Sequence, residues 1–354
     1  MKRKEKKVIQ VGKLKIGGDN PIVIQSMTNT KTCDIESTVN QIKQLTEVGC
    51  QVVRLAIPDL KSAMAIADIK KHVEIPLVAD IHFDYKLALA AIENGIDKVR
   101  INPGNIGRRD SVVRVIEKAK KNSVPIRIGV NSGSLSKDLV DRKDISTSEK
   151  MVIAAQREVE VLESLDFIDI CISLKSSDVI TTIEAYTKLS QKLPYPLHLG
   201  VTEAGLYKSG TVKSAIGIGT LLYNGIGDTI RVSLTGDPVQ EVEVAYEIIH
   251  SLNLSTSKTK TEVISCPTCG RCDVDIENLS KKVMEKLKHN KNNIKVAVMG
   301  CVVNGPGEAK EADLGIAGGK EKGIIFSKGK VIKTVPNAAL LDELCVEIDK
   351  LENK

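Results

Sequence analysis

The sequence predicts an α/β chain in which a TIM (β/α)8 barrel is followed by a smaller α+β domain. Three observations carry that reading. Short β-rich apolar runs alternate with stretches of helical spacing over the first two-thirds of the chain, which implies βαβ units and a parallel sheet. Eight such runs fall within roughly 250 residues, the size of a (β/α)8 barrel. The alternation then stops, and a polar stretch leads into about 90 residues of different character. A doubly wound open sheet is the competing arrangement, but the glycine fingerprint it usually carries after a first strand is missing.

The expected strands are 22–27 (IVIQSM), 52–57 (VVRLAI), 77–81 (LVADI), 99–102 (VRIN), 126–130 (IRIGV), 168–174 (IDICISL), 197–202 (LHLGVT) and 230–234 (IRVSL). Helical spacing covers 35–48, 60–72, 85–94, 112–121 and 148–165. The barrel domain is therefore set at 1–250. Residues 251–263 (SLNLSTSKTKTEV) are polar without a clear apolar period and read as a linker, leaving 264–354 as the second domain. There a cysteine loop leads into a helix at 276–287, a strand at 294–299 and a Gly-rich loop at 300–319. A hairpin over 323–335 turns at Lys328-Gly329, and a last helix runs from about 338 to 351.

Composition narrows the function. The chain has 354 residues and a net charge of +6, of which +4 lies in the first seven residues. A chain-wide basic footprint for nucleic acid is thus excluded, and the tail reads as a solvated terminus. Three Phe, six Tyr and no Trp argue against a base-stacking platform and leave the core to aliphatic side chains. No signal peptide and no bilayer-length apolar run are visible, so a reducing cytoplasm is expected. There, clustered cysteines serve as metal or redox groups rather than disulfides.

The expected strand ends carry charges that a packed core would not choose. Arg54, Asp80, His82, Arg100, Asn102, Arg127, Asn131, Lys175, Glu203, Arg231 and Ser233 all lie in or just after these runs. Residues two apart in a strand share a face, so several point towards one barrel mouth. Converging guanidinium and ammonium groups taken out of water need anions, and Asp80 and Glu203 are too few. A phosphate-bearing ligand, best a diphosphate, is the economical partner, because Arg forks grip phosphate oxygens. His72, His198, His250 and His289 are read as ordinary surface or core histidines, and Cys33, Cys50, Cys171 and Cys345 as small core hydrophobes.

Cys266-Pro-Thr-Cys269 forms a tight two-thiol grip, Cys301 lies downstream, and the loop Asn304-Gly-Pro-Gly307 delivers Glu308. This spacing lacks the second C-x2-C of a zinc ribbon and favours an iron–sulfur cluster. Zinc held by Cys266, Cys269, Cys272 and Cys301, in a non-catalytic or electron-transfer module, is the competing reading. Spacing alone leaves the part of Cys272 open.

At these motifs the sequence resembles a known family, the bacterial 4-hydroxy-3-methylbut-2-enyl diphosphate synthases of the methylerythritol phosphate route to isoprenoids. The resemblance spans almost the whole chain. It rests on IQSMTNT (24–30), VVRLAIP (52–58), LVADIHFDY (77–85), VRINPGN (99–105), PIRIGVNSGSL (125–135), HLGVTEAG (198–205) and DTIRVSLTGDP (228–238). SCPTCGR (265–271) and GCVVNGPGEAKEADLGIAGG (300–319) are the most specific segments. The resemblance implies a [4Fe–4S] cluster on Cys266, Cys269, Cys301 and Glu308, with Cys272 as a departure outside the ligand set. It implies 2-C-methyl-D-erythritol 2,4-cyclodiphosphate as substrate. Arg54, Arg100, Arg127, Asn131, Lys175 and Ser233 would hold the diphosphate, and Asp80, His82 and Glu203 would face the carbon skeleton. Arg231 is added from strand periodicity, and Glu203 is the candidate acid for the departing hydroxyl, on the expectation that a barrel carboxylate is shielded from water. Reduced flavodoxin or ferredoxin would supply electrons. A homodimer would cap the barrel of one subunit with the cluster domain of the other.

Overall fold

The computed structural model describes residues 3, 5–102, 106, 109–254, 262–287, 294–301, 307 and 309–352. They form two compact units, Met1–Ser255 and Thr256–Lys354.

The first unit opens with a hairpin that the sequence reading lacks. Strands β1 (Ile9–Val11) and β2 (Leu14–Ile16) pair antiparallel. Three-residue runs broken by Gln and Lys are too short to show a period, which is why they escape pattern reading. Ile9, Val11 and Ile16 are buried against Val23, Val52, Val78 and Cys171, so the hairpin stoppers the N-terminal end of the barrel. The basic terminus is not simply solvated either. Lys6 is buried and its Nζ donates to the carbonyls of Ser190 and Leu193 (2.9 and 2.5 Å). Those carbonyls lie at a helix C-terminus, where unsatisfied C=O groups attract cations. Arg3 pairs with buried Asp228 at 3.3 Å.

Eight parallel strands follow: β3 (Val23–Met27), β4 (Val52–Ala56), β5 (Leu77–Asp80), β6 (Lys98–Ile101), β7 (Ile126–Asn131), β8 (Ile170–Lys175), β9 (His198–Leu199) and β10 (Thr229–Ile230). Their order in the sheet is β8-β7-β6-β5-β4-β3-β10-β9, and a parallel bridge between Ile172 and Leu197 closes the ring. This is the TIM barrel expected from the alternation. Two strands are shorter than expected, at 197–202 and 230–234. Gly200 follows β9, and a Cβ there would lie 2.7 Å from the Arg231 carbonyl and 2.8 Å from Lys175 Nζ, so the chain passes too close to its neighbours here for a side chain.

The helices on the outside begin where the turn chemistry dictates. Asp34, Asp59, Asp84, Asp178 and Asp237 each accept from a backbone N–H of the first turn, capping α1 (Ile35–Glu47), α2 (Leu60–Lys70), α3 (Tyr85–Glu93), α7 (Val179–Lys192) and α9 (Pro238–Ser251). Between them lie α4 (Arg109–Lys121), α5 (Lys137–Val140), α6 (Thr147–Glu163), which starts on a Ser146/Glu149 capping box, and α8 (Tyr207–Tyr223). Their inner faces meet the outward side chains of the strands in one largely aliphatic core, including Ile42, Leu45, Leu55, Ile66 and Leu77. Each such side chain contributes about 1.5–3 kcal/mol on burial.

The second unit is a five-stranded mixed sheet in the order β11 (Glu262–Ser265), β12 (Lys295–Met299), β13 (Leu314–Ala317), β14 (Lys322–Ser327) and β15 (Lys330–Pro336). The first three are parallel and the last two form an antiparallel hairpin. Its turn residues Lys328 and Gly329 both have positive φ (47° and 75°), as a two-residue hairpin turn requires. Helices α10 (Ile276–Leu287) and α11 (Leu340–Glu352) supply Val283, Leu287, Leu344 and Ile348 to a core with Val296, Val298 and Ile316. Two readings are corrected. Strand β11 begins inside the stretch read as linker, and β13 inside the stretch read as a Gly-rich loop. The glycine of β13, Gly315, is there because a Cβ would meet the Phe326 ring at 2.3 Å. No helix among the described residues is long and apolar enough to cross a membrane.

Candidate active site and metal centre

Alternation divides each barrel strand between two environments. One set faces the helices. The other starts at the hairpin with Val23, Val52 and Val78 and becomes polar and cationic towards the C-terminal strand ends. Register aligns that inner set: Asp80 lies opposite Arg100, Arg100 opposite Arg127, and Asn131 opposite Lys175.

Asp80 is the hub. Its carboxylate accepts from Arg100 Nη1 at 3.2 Å, lies 3.9 Å from Arg54 Nε and 3.3 Å from His82 Nε2. Burial alone would raise its pKa, but Arg54, His82, Arg100 and Arg127 together hold it well below the usual carboxylate range. Arg54 also donates to Met27 Sδ at 3.0 Å. The guanidinium of Arg100 lies across Gly129, where a Cβ would come within 2.4 Å of Nε, so a larger residue there would displace the guanidinium from this position. His82, half-exposed at the mouth, touches both Asp80 and Arg100.

The remaining cations are less well matched. Arg127 is 1% exposed, and its Nε and Nη1 have no hydrogen-bond partner among the described residues. The same holds for Lys98 Nζ and Arg100 Nε. Burial, then neighbouring Arg100, lowers Arg127 to about 10, and burial lowers Lys98 to about 8. Burial and the surrounding arginines push Lys175 and Arg54 well below their ordinary values. Arg54, Arg100 and Arg127 thus share the Asp80 carboxylate, while the groups that act most on Lys175 are all arginines. Leaving a buried donor unmade costs about 1–3 kcal/mol, more for a charged one. An interior built this way fits a multiply charged anion.

Other expected residues fall differently. Arg231 is already held by buried Glu241, at 3.0 Å from Nη2 and 3.3 Å from Nε, and Glu241 also accepts from Ser26 Oγ and Leu234 N. Glu203 lies beyond β9 and is exposed rather than shielded, at a φ of 52° that side chains rarely adopt. Asn131 and Ser233 are half-buried at the same strand ends. Three interior residues were missed: Lys98, His198 and Glu241. Lys98 continues the two-residue period of Arg100 and Asn102 one step back, so the signal was there. His198, read as an ordinary histidine, is fully buried with Nε2 3.4 Å from Lys175 Nζ.

In the second unit, Ser265 pairs with Val298, so Cys266 and Cys301 leave neighbouring parallel strands at the same end. The Gly300 N–H donates to Cys266 Sγ at 3.1 Å, the kind of contact that stabilises a thiolate. Cys272 Sγ instead donates to the Val274 carbonyl at 3.0 Å. Cys269 is exposed and the other thiols half-buried, and no cysteine is in a disulfide. Glu308 lies outside the described residues. Among the described residues no three His, Cys, Asp or Glu side chains are gathered into a metal cage. The donor chemistry of these thiols fits a thiophilic metal or cluster.

Comparison with known proteins converges on one family. Residues 6–246 match the GcpE TIM-barrel domain and residues 262–350 the GcpE protein C-terminal domain. The chain is 59% identical over 349 residues to the 4-hydroxy-3-methylbut-2-en-1-yl diphosphate synthase (flavodoxin) of Caldanaerobacter subterraneus subsp. tengcongensis, covering 99% of this chain and 98% of the relative. It is 58% identical over 351 residues to the protein of the same name from Clostridium perfringens, covering 99% and 100%. Among solved structures, a dihydropteroate synthase from Xanthomonas albilineans superposes with a TM-score of 0.50 at 12% identity, over 70% of this chain and 98% of that one. That likeness is of the barrel fold alone.

Proposed function

This chain belongs to the GcpE family, and we propose that it makes 4-hydroxy-3-methylbut-2-en-1-yl diphosphate by two-electron reductive ring opening and dehydroxylation of 2-C-methyl-D-erythritol 2,4-cyclodiphosphate, a step of isoprenoid synthesis. The observation that carries the reading is the surplus of buried cations at the barrel mouth. Opening the cyclic diphosphate at a C–O bond leaves new negative charge on a phosphate oxygen. Arg54, Arg100, Arg127 and Lys175 are already desolvated and fixed where such charge would develop, so no reorganisation is needed as it forms. Asn131 and Ser233 add hydrogen-bond capacity at the same strand ends. Arg231, offset by Glu241, contributes less net charge.

Asp80, held ionised, orients Arg54 and Arg100 rather than giving up a proton. His82 sits beside it at the mouth, within reach of the carbon skeleton of a ligand whose phosphates lie deeper. Glu203 is the acid for the departing hydroxyl in this reading, and its side chain is exposed beyond the end of the barrel strand. Cys266, Cys269 and Cys301, with Glu308, would hold a [4Fe–4S] cluster. When bound, that cluster supplies electrons one at a time and a Lewis-acidic iron. The names of the relatives support flavodoxin as the electron donor, with ferredoxin as the alternative. A homodimer and a cytoplasmic setting complete the reading.

Anaerobic turnover tests it. Iron-loaded protein with reduced flavodoxin and the cyclodiphosphate should yield the linear allylic diphosphate, and iron-loaded protein that yields none would overturn the assignment. Glu203→Gln should keep its iron and its ultraviolet–visible spectrum while turnover falls by about 10²–10⁴. Undiminished turnover would remove Glu203 from the mechanism.

A further inference from the structure

We propose that His198 is a positioning residue, a neutral imidazole braced by Thr229 that aims the Lys175 ammonium at a bound diphosphate. The proposal rests on the anion-binding reading above and deepens it.

His198 is the first residue of β9 and is fully buried inside the barrel. Its Nε2 lies 3.4 Å from Lys175 Nζ, and its Nδ1 lies 3.4 Å from Thr229 Oγ1 on the adjacent strand β10. When Lys175 is protonated its ammonium can only donate, so in that state Nε2 carries the lone pair. The ring proton then sits on Nδ1 and points at the Thr229 hydroxyl oxygen. Burial, with Arg127, Lys175, Lys98 and Arg54 nearby, holds the imidazole well below its ordinary pKa, which keeps that lone pair unprotonated.

Two further contacts fix the arrangement. Tyr186 OH donates to the His198 carbonyl at 2.5 Å and accepts from Leu174 N at 3.0 Å, tying β9 to β8 one residue before Lys175. The lysine then folds across Gly200, where a Cβ would come within 2.8 Å of Nζ and 3.1 Å of Cε. Lys175 is therefore confined by a histidine and a glycine. The charged groups that act on it are Arg127, Arg54, Arg231 and Arg100, all of which disfavour a further positive charge. The His198 lone pair favours it. Without that acceptor the lysine would lose its proton more easily and lose its direction as well.

The test is calorimetric titration of inorganic diphosphate into the full chain across pH, with circular dichroism confirming the fold of each variant. His198→Leu should weaken binding about 10-fold and move the alkaline limb of binding to lower pH by about one unit. His198→Gln, whose amide oxygen can accept, should restore most of both. Thr229→Val should give a smaller shift in the same direction. A folded His198→Leu chain with wild-type affinity and an unmoved alkaline limb overturns the proposal, as does a folded His198→Gln chain as impaired as His198→Leu. If His198→Leu does not fold, the alkaline limb of Thr229→Val decides: a shift supports the brace and no shift overturns it. A wild-type chain that does not bind diphosphate sinks the anion-binding reading itself. Binding that is lost in Lys175→Met but intact in His198→Leu sinks this proposal alone.

Discussion

The barrel interior and the cysteine loops are built on opposite principles. In the barrel, Arg100 is buried against Asp80 and Gly129, Lys175 against His198 and Gly200, and Arg127 is buried beside them. In the second unit, Cys269 is exposed and Cys266 and Cys301 are half-buried, so the thiols are not sealed from water as the barrel cations are. The difference follows from the bonding each site needs. Recognition of a phosphate by charge works only if the cations are desolvated and rigid beforehand, because in water the same contacts are weak. Metal–thiolate bonds are strong enough to gather their own ligands, so a thiol site of this kind does not depend on burial for its binding strength. The barrel site is therefore expected to be preorganised by the fold, whether or not a metal is bound at the thiols.

The largest effect should come from the cysteine loops. Cys301→Ser should lose its iron and its visible absorption and fall below detectable turnover, yet bind inorganic diphosphate like the wild type. Loss of diphosphate binding as well would break the contrast. Next comes Arg127→Met. Diphosphate affinity should fall by about 10²–10³, as expected for removing a fully desolvated charge partner. Ligand-free stability to urea should hold or rise by about 1–2 kcal/mol, because a buried cation with two unmatched nitrogens is replaced by a hydrophobe. A large loss of stability instead would mean that Arg127 is structural.

Lys98 gives a pH signature. Its value in the folded chain is about 8, below the ordinary 10.5. Between those limits the unfolded chain still holds a proton that the folded chain has released, so stability should rise with pH across that window. Below about 8 the penalty is felt in full. The gain between pH 8 and 10.5 should be on the order of 2–3 kcal/mol relative to Lys98→Met, in paired urea titrations. A flat difference would place Lys98 in a wetter site. The smallest effect is at the terminus, where Lys6→Met should cost about 1 kcal/mol by removing donors to two helix-end carbonyls.

The barrel was legible because its alternation is long and repeated, and its charges because they recur every second residue. That same period contained Lys98, which was passed over. His198 was not legible, since a histidine between two leucines looks the same whether it faces the helices or the interior. Glu241 sits on helix α9, and nothing in the sequence ties it to Arg231. The shielding expected of Glu203 failed because a residue after the strand end obeys the loop rather than the barrel. Hairpin β1–β2 and strand β13 were hidden by brevity and by glycine, which pattern reading assigns to loops. The cysteine spacing pointed to the chemistry of the second site but not to its geometry, because spacing along the chain does not fix how separate loops meet.

The most direct test of this division is a titration of inorganic diphosphate into the wild-type chain, iron-loaded and iron-free. Preorganisation predicts the same affinity in both, within about twofold. Binding that appears only after the iron is loaded would contradict it, and would make the anion site a product of the metal rather than of the barrel.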